Sequence, residues 1–234
     1  MTVLDQPYLG AARAPIIVAA AVVLLAALGL RTAGLVAEHG EGQGYGEAPE
    51  WLRGVVTRSD GETGFLLRVE VVADQTYREA HGSEWAEAAS ETVMASSDLL
   101  NEINVSLEIV DVRQWDSDPA PLRDMLHQAQ GDPHREDAVL LAFTSYESMT
   151  YPVYDGWTAG GEPAIALKVT NHNEWAVSAL VTHEIGHLLG AHHHEDGHDG
   201  SSDGDCVMDA AGYRYADRWC DEHRETIAAM LATI

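Results

Sequence analysis

Lysine is almost missing from this chain. One residue, Lys168, stands beside twelve arginines, and these 13 basic side chains face 38 acidic ones for a formal net charge of -25. A pI near 4.5 excludes non-specific binding to nucleic acid or to anionic lipid as the main activity, since both need a basic surface. Cysteine is scarce too: Cys206 and Cys220 allow at most one internal disulfide and exclude a four-cysteine zinc module or a disulfide-built scaffold. Also lacking are an internal repeat, a lipobox cysteine, a twin arginine and a clean small-x-small cleavage site. Hydrophobic residues make up 46%, which excludes a disordered chain, and 234 residues suit one core plus appendages. An acid excess with so little lysine points to solubility in concentrated salt. Folding and activity are then expected to rise as the Debye length falls from ~10 Å at 0.1 M to ~3 Å at 1 M. An ordinary acidic secreted protein is the alternative.

Charge divides the chain. Residues 1–37 carry two arginines and one aspartate, and residues 38–64 carry six acids, two arginines and many glycines without apolar periodicity. Residues 65–234 hold the regular patterning and a net charge of -22. The organisation expected is a signal or membrane-anchor segment (1–37), an acidic Gly-rich linker (38–64) and one domain (65–234). Pro15 to Leu30 is an uncharged apolar run of 16 residues, ~24 Å as a helix against a hydrocarbon core of ~30 Å. That length fits a signal-peptide core, or an anchor if Arg31 snorkels to the interface. Either way the acidic domain ends outside the cytoplasm, on the cell membrane if the segment stays and secreted if it is cleaved.

Within the domain, Phe65 to Asp74 alternates as a half-buried strand, and Ile103 to Val112 alternates again. Ser83 to Asn101 has helical spacing with Ser83 placed to cap it, and Pro121 to Ala129 reads as a short helix with proline in its first turn. Ala138 to Phe143 is a continuous apolar run that suits a strand buried on both faces, and Ala164 to Val169 is a shorter strand candidate. The order βαβαββ predicts an α/β (α+β) layered fold.

A helix from about His172 to Gly190, with Asn171 and Glu174 spaced as a capping box, carries the chemistry. It contains His183-Glu184-Ile185-Gly186-His187. Histidines at i and i+4 stand on one helix face about 6 Å apart along the axis, so both can reach one ion. Glu184 points beside that ion, where it can hold and deprotonate a metal-bound water. Gly190 permits the left-handed turn that ends the helix and brings His193 back as a third nitrogen ligand. Three protein ligands leave one position open, as in a catalytic zinc site. Neutral imidazoles in a four-coordinate site favour Zn²⁺. Chance would place this full pattern in such a chain only about 2 × 10⁻⁴ times.

Those eleven residues, His183 to His193, resemble the HExxHxxGxxH motif of the metzincin metallopeptidases. Met208, in Cys206-Val207-Met208-Asp209, matches the family's methionine turn beneath the metal. A first strand ending Val-Val-Ala-Asp, the Cys-x-Met turn and a last helix opening Arg218-Trp219-Cys220-Asp221 look most like the adamalysin (reprolysin) branch. The resemblance implies a metzincin-like zincin fold: a mixed, mostly parallel twisted sheet with an active-site helix and a C-terminal helix. It implies a zinc endopeptidase with His183, His187 and His193 on the metal, Glu184 as general base and Met208 as floor. The chain departs from that branch in having His194 where an aspartate is usual, and too few cysteines for several disulfides. Cys206 and Cys220 could form one disulfide, stapling the methionine turn to the last helix. His192 and His194 read as solvated loop residues. The acids Glu195, Asp196, Asp199, Asp203 and Asp205 lack any EF-hand-like spacing for Ca²⁺. Tyr213 and Tyr215 read as packing residues.

The expected partner is an extended protein or peptide substrate paired to an exposed edge strand, for which Ala164 to Leu167 is the candidate. No nucleic acid is expected, the chain is expected to be a monomer, and any membrane contact runs through the N-terminal segment. The competing reading is a catalytically silent, zinc-stabilised surface domain for adhesion or binding. Such a domain would have no use for Glu184.

Overall fold

The computed structural model describes residues 47–59, 64–146, 156–158, 162–169, 174–193, 206–209 and 216–234. The chain divides into two compact units, Met1–Glu41 and Gly42–Ile234, and all described residues belong to the second. The expected signal or anchor segment lies outside the described residues, among which no helix is long and apolar enough to cross a membrane.

Five strands form the body of the sheet: β2 (Phe65–Ala73), β3 (Val105–Gln114), β4 (Val139–Thr144), β5 (Gly156–Thr158) and β6 (Ala164–Lys168). Their spatial order is β3-β2-β4-β6-β5, and only β5 runs antiparallel to its neighbour. A short β1 (Val56–Arg58) pairs antiparallel with the start of β2 (Val56 opposite Leu67), while β4 takes the later part, Val69 opposite Val139. Just before β1 lies α1 (Glu50–Val55). Both elements fall inside the stretch expected to be linker. Their apolar residues Leu52, Val55 and Val56 are buried in the main core, yet six residues are too few to display a helical period.

Helices cover both faces, which makes three layers and two cores. The larger core takes Val69, Val71, Val139, Leu141, Phe143, Ile165 and Leu167 from the sheet. Alternate residues of the same strands, Val72, Leu140, Ala142, Ala164 and Ala166, face the other way, onto α5 (Leu122–Gly131) through Met125, Leu126 and Ala129. Three alanines on that face let the helix approach closely. β2 is therefore not half-buried as its alternation predicts. Glu70, on the supposed solvent face, is 1% exposed and accepts 2.6 Å hydrogen bonds from Arg113 Nε and the Arg135 backbone N–H. The pairing makes the buried charge tolerable.

The helix expected over Ser83 to Asn101 is three pieces: a 3-10 turn (Gly82–Glu84), α3 (Trp85–Ala95) and α4 (Ser97–Asn101). Ser83 lies inside the turn and caps nothing, and α3 has no side-chain cap. At the break the buried Ser96 hydroxyl donates to the Val93 carbonyl at 2.6 Å, a local competitor to the helix ladder. An unexpected helix, α2 (Gln75–His81), starts at Asp74, whose carboxylate accepts from the Tyr77 N–H at 2.9 Å. Wholly buried, Asp74 also accepts from the hydroxyls of Thr76 (2.8 Å), Ser117 (3.0 Å) and Thr144 (2.7 Å). It thus ties the ends of β2 and β4 to the chain beyond β3.

Among the described residues the two remaining helices are α6 (Glu174–Leu188) and α7 (Asp221–Leu231). Every residue from Val177 to Gly186 is buried, so α6 is a core helix and not an amphipathic surface one. Burying Leu180, Val181, Ile185 and Leu188 contributes about 1.5–3 kcal/mol each. Thr182 and Ser178 satisfy their own hydroxyls on carbonyls one turn back, at 2.9 Å each. The expected capping box falls outside what is described, since Asn171 and the Glu174 side chain are not placed.

Candidate metal centre

His183, Glu184 and His187 lie on the buried α6, and the chain leaves that helix through a Schellman turn. Gly190 has φ 86°, its N–H bonds the His187 carbonyl at 3.1 Å, and the Ala191 N–H reaches back to the Gly186 carbonyl at 2.9 Å. A side chain at position 190 would be strained, so this glycine is required by its backbone. The reversal carries His193 onto the other two histidines.

The three Nε2 atoms stand 3.2 Å (183–187), 3.1 Å (187–193) and 3.0 Å (183–193) apart. Tautomers decide what this means. His183 Nδ1 lies 2.7 Å from the Val207 carbonyl, and His187 Nδ1 lies 2.9 Å from the Ala191 carbonyl. A carbonyl can only accept, so both Nδ1 atoms carry the proton and both Nε2 atoms present bare lone pairs to a common centre. Lone pairs turned on each other repel unless a cation lies between them. Edges of a tetrahedron of nitrogens about 2.0 Å from an ion are ~3.3 Å, close to what is seen. The residues fit a metal ion.

Glu184 is 4% exposed and leans on β5. Thr158 Oγ1 donates to its Oε2 at 2.5 Å and lies 3.3 Å from its backbone carbonyl. Burial pushes the Glu184 carboxyl up to about 7, against the downward pull of that hydroxyl. A Cβ on Gly156 would sit 2.1 Å from Glu184 Oε1, so only glycine leaves room there. The strand expected to meet substrate, Ala164 to Leu167, is not an edge. β6 lies between β4 and β5 with all five residues buried, because β5 adds a further antiparallel strand. Among the described residues the edge on this side of the sheet is Gly156–Thr158.

Met208, expected as the floor of the site, packs against α6 at Gly186. Met208 is fully buried, and a Cβ on Gly186 would meet its Sδ at 2.5 Å and Trp219 Cη2 at 2.8 Å. Gly186 is thus the socket for Met208 and Trp219. Cys206 and Cys220, the possible disulfide pair, lie close together but are not bonded to each other. His192 is exposed and outside the triad. His194, the acids from Glu195 to Asp205, Tyr213 and Tyr215 lie outside the described residues. Thr158, Gly156, Gly186 and His223 were not anticipated. Of these only His223, three residues after Cys220, has a spacing that could have been read.

The sequence profile of the reprolysin-type Metallo-peptidase family M12 matches residues 66–232. The chain belongs to this family. Its members are hydrolases, so a metal ion at the histidine triad and a protein substrate follow from membership. No curated protein sequence matches the chain. An archaemetzincin from Methanopyrus kandleri is similar in structure with a TM-score of 0.52 at 14% identity, over 75% of this M12 chain and 99% of that one. A chain in a chaperone-substrate complex is similar with a TM-score of 0.53 at 14% identity, over 74% of this chain and 36% of that one. At such identity the likeness is one of fold: a mixed, mostly parallel α/β sheet with its helices.

Proposed function

We propose that this M12 chain is a zinc endopeptidase that hydrolyses internal peptide bonds of an extended substrate paired along β5. The observation that carries the proposal is the convergence of the His183, His187 and His193 Nε2 atoms beside a buried carboxylate held by the edge strand. Three neutral imidazoles suit zinc, which when bound supplies Lewis acidity and makes a water acidic enough to attack at neutral pH. The protein's own groups do the rest. Backbone amides and carbonyls of Gly156 to Thr158 hold the substrate strand as sheet partners. Glu184, aimed by the Thr158 hydroxyl, takes the proton from the attacking water and passes it to the departing amine. Its burial shields it from solvent and raises its basicity above that of an ordinary carboxylate.

The apolar run Pro15 to Leu30 supports action outside the cytoplasm, tethered or released, and the charge of -25 supports salt adaptation. The decisive test is Glu184→Gln. It is expected to retain one zinc at the triad and to lose at least 10³-fold in kcat on a quenched peptide, on the scale of removing a general base. A variant that binds zinc and cleaves undiminished refutes the mechanism. A wild-type chain that binds zinc and never cleaves a diverse peptide library leaves the silent binding domain in its place.

A further inference from the structure

A second set of donors lies where the methionine turn meets the start of α7. His223 Nδ1 is 3.0 Å from Cys220 Sγ and 3.4 Å from Cys206 Sγ, and all three donor atoms fall within 4.8 Å of one another. We propose that Cys206, Cys220 and His223 form a second zinc site, one that clips the methionine turn to the C-terminal helix.

Local structure brings the three together. Cys206 makes a parallel bridge with Arg218, and the Val207 N–H bonds the Arg218 carbonyl at 3.0 Å, so the two segments run side by side. Cys220 is the N-cap residue of α7 and His223 its third residue, which sets both side chains on one face of the first turn. The Cys220 N–H points at Cys206 Sγ at 3.4 Å, the backbone-to-sulfur contact that stabilises a thiolate. With zinc about 2.3 Å from sulfur and 2.0 Å from nitrogen, a tetrahedral S···N edge is ~3.5 Å. The Cys206 spacing of 3.4 Å matches that value, the Cys220 spacing of 3.0 Å is shorter, and the fourth corner is left to water.

Charge favours the same conclusion. Cys206 and His223 are 8% and 5% exposed, so any net charge here would be costly. Burial pushes the Cys206 thiol up to about 11, but a bound dication deprotonates a coordinating thiol outright. Two thiolates and a neutral imidazole then cancel the ion's charge. The site is independent of peptide cleavage. Its position bears on the catalytic centre all the same, because Val207, between Cys206 and Met208, offers the carbonyl that orients His183.

Metal counting on the full chain tests this without reference to activity. Purified under air with zinc, the wild type is expected to hold two equivalents, to have the mass of the dithiol, and to resist alkylation until chelator is added. Cys220→Ser and His223→Ala each lose one equivalent, and His187→Ala loses the other. Loaded with cobalt, the wild type and His187→Ala show a thiolate-to-cobalt charge-transfer absorption that Cys220→Ser lacks. Should the variants not fold, the wild-type count, mass and cobalt spectrum still decide. One zinc per chain, a mass two hydrogens short, or cobalt binding without the charge-transfer band each overturns the second site. Loss of the second site alone leaves the endopeptidase reading standing, because Glu184→Gln and the peptide-library digest address that reading.

Discussion

Replacing Gly186 by alanine sets two physical effects of opposite sign against each other. In a helix interior alanine is favoured over glycine by about 1 kcal/mol. The new methyl, however, would lie 2.5 Å from Met208 Sδ, 2.8 Å from Trp219 Cη2 and 3.2 Å from Trp219 Cζ3, where about 3.5–4.0 Å is comfortable. Both neighbours must retreat by about 1 Å, and neither has space, being 0% and 1% exposed. Overpacking of this kind costs about 1–3 kcal/mol. Trp219 is further restrained by its indole N–H, which donates to the Leu99 carbonyl at 2.8 Å, so tilting the ring risks about 1 kcal/mol more. The net expectation is a loss of about 1–3 kcal/mol, read as a thermal midpoint lowered by roughly 3–10 °C in a domain of this size. Differential scanning calorimetry of the zinc-loaded wild type and variant measures it. A double-mutant cycle with Met208→Ala should show the two changes coupled, since the smaller side chain relieves the clash. A midpoint unchanged or raised, or strict additivity with Met208→Ala, would mean that Gly186 is not the socket described.

Other changes probe other parts of the structure. Asp74→Ala strips the acceptor from one backbone and three hydroxyl donors and should lower stability by about 3 kcal/mol or more, measured by urea unfolding. Thr158→Val removes the hydroxyl that aims Glu184 and should cut kcat about tenfold with KM little changed. Asp137 is held down to about 2 by hydrogen bonds from Arg135 and then Arg68. Its folded value is depressed, so its contribution to stability is present above about 4 and lost as pH falls towards 2. Carbon-detected NMR should show its carboxyl unprotonated down to pH 3 in the wild type and titrating higher in Arg135→Ala.

Local signals were readable in the sequence, and contacts between distant segments were not. The three histidines, Glu184 and Gly190 all sit within eleven residues, where the helical repeat and one turn do the positioning. Strands β3, β4 and β6 announced themselves by apolar runs or alternation. Glu70 misled because its partner Arg113 is 43 residues away, and nothing near β2 in the chain shows that α5 covers that face. The helix α2 buries only Tyr77 and so has no periodic stripe to read. Thr158 and Gly156 sat in a turn-rich stretch, and their role arises only because the edge strand folds against a helix 26 residues on.

The histidine orientation has one further consequence. The acceptors that fix the His183 and His187 imidazoles, at Val207 and Ala191, are main-chain carbonyls. An aspartate in that role could be deleted by a single codon change, whereas a carbonyl survives every substitution at its own position. Variation at 191 and 207 can alter shape but cannot erase the acceptor. Anyone wishing to tune the basicity of His183 and His187 through these acceptors must therefore move the backbone, and the most direct handle on it is the turn at Gly190 or the strand pairing of Cys206 with Arg218.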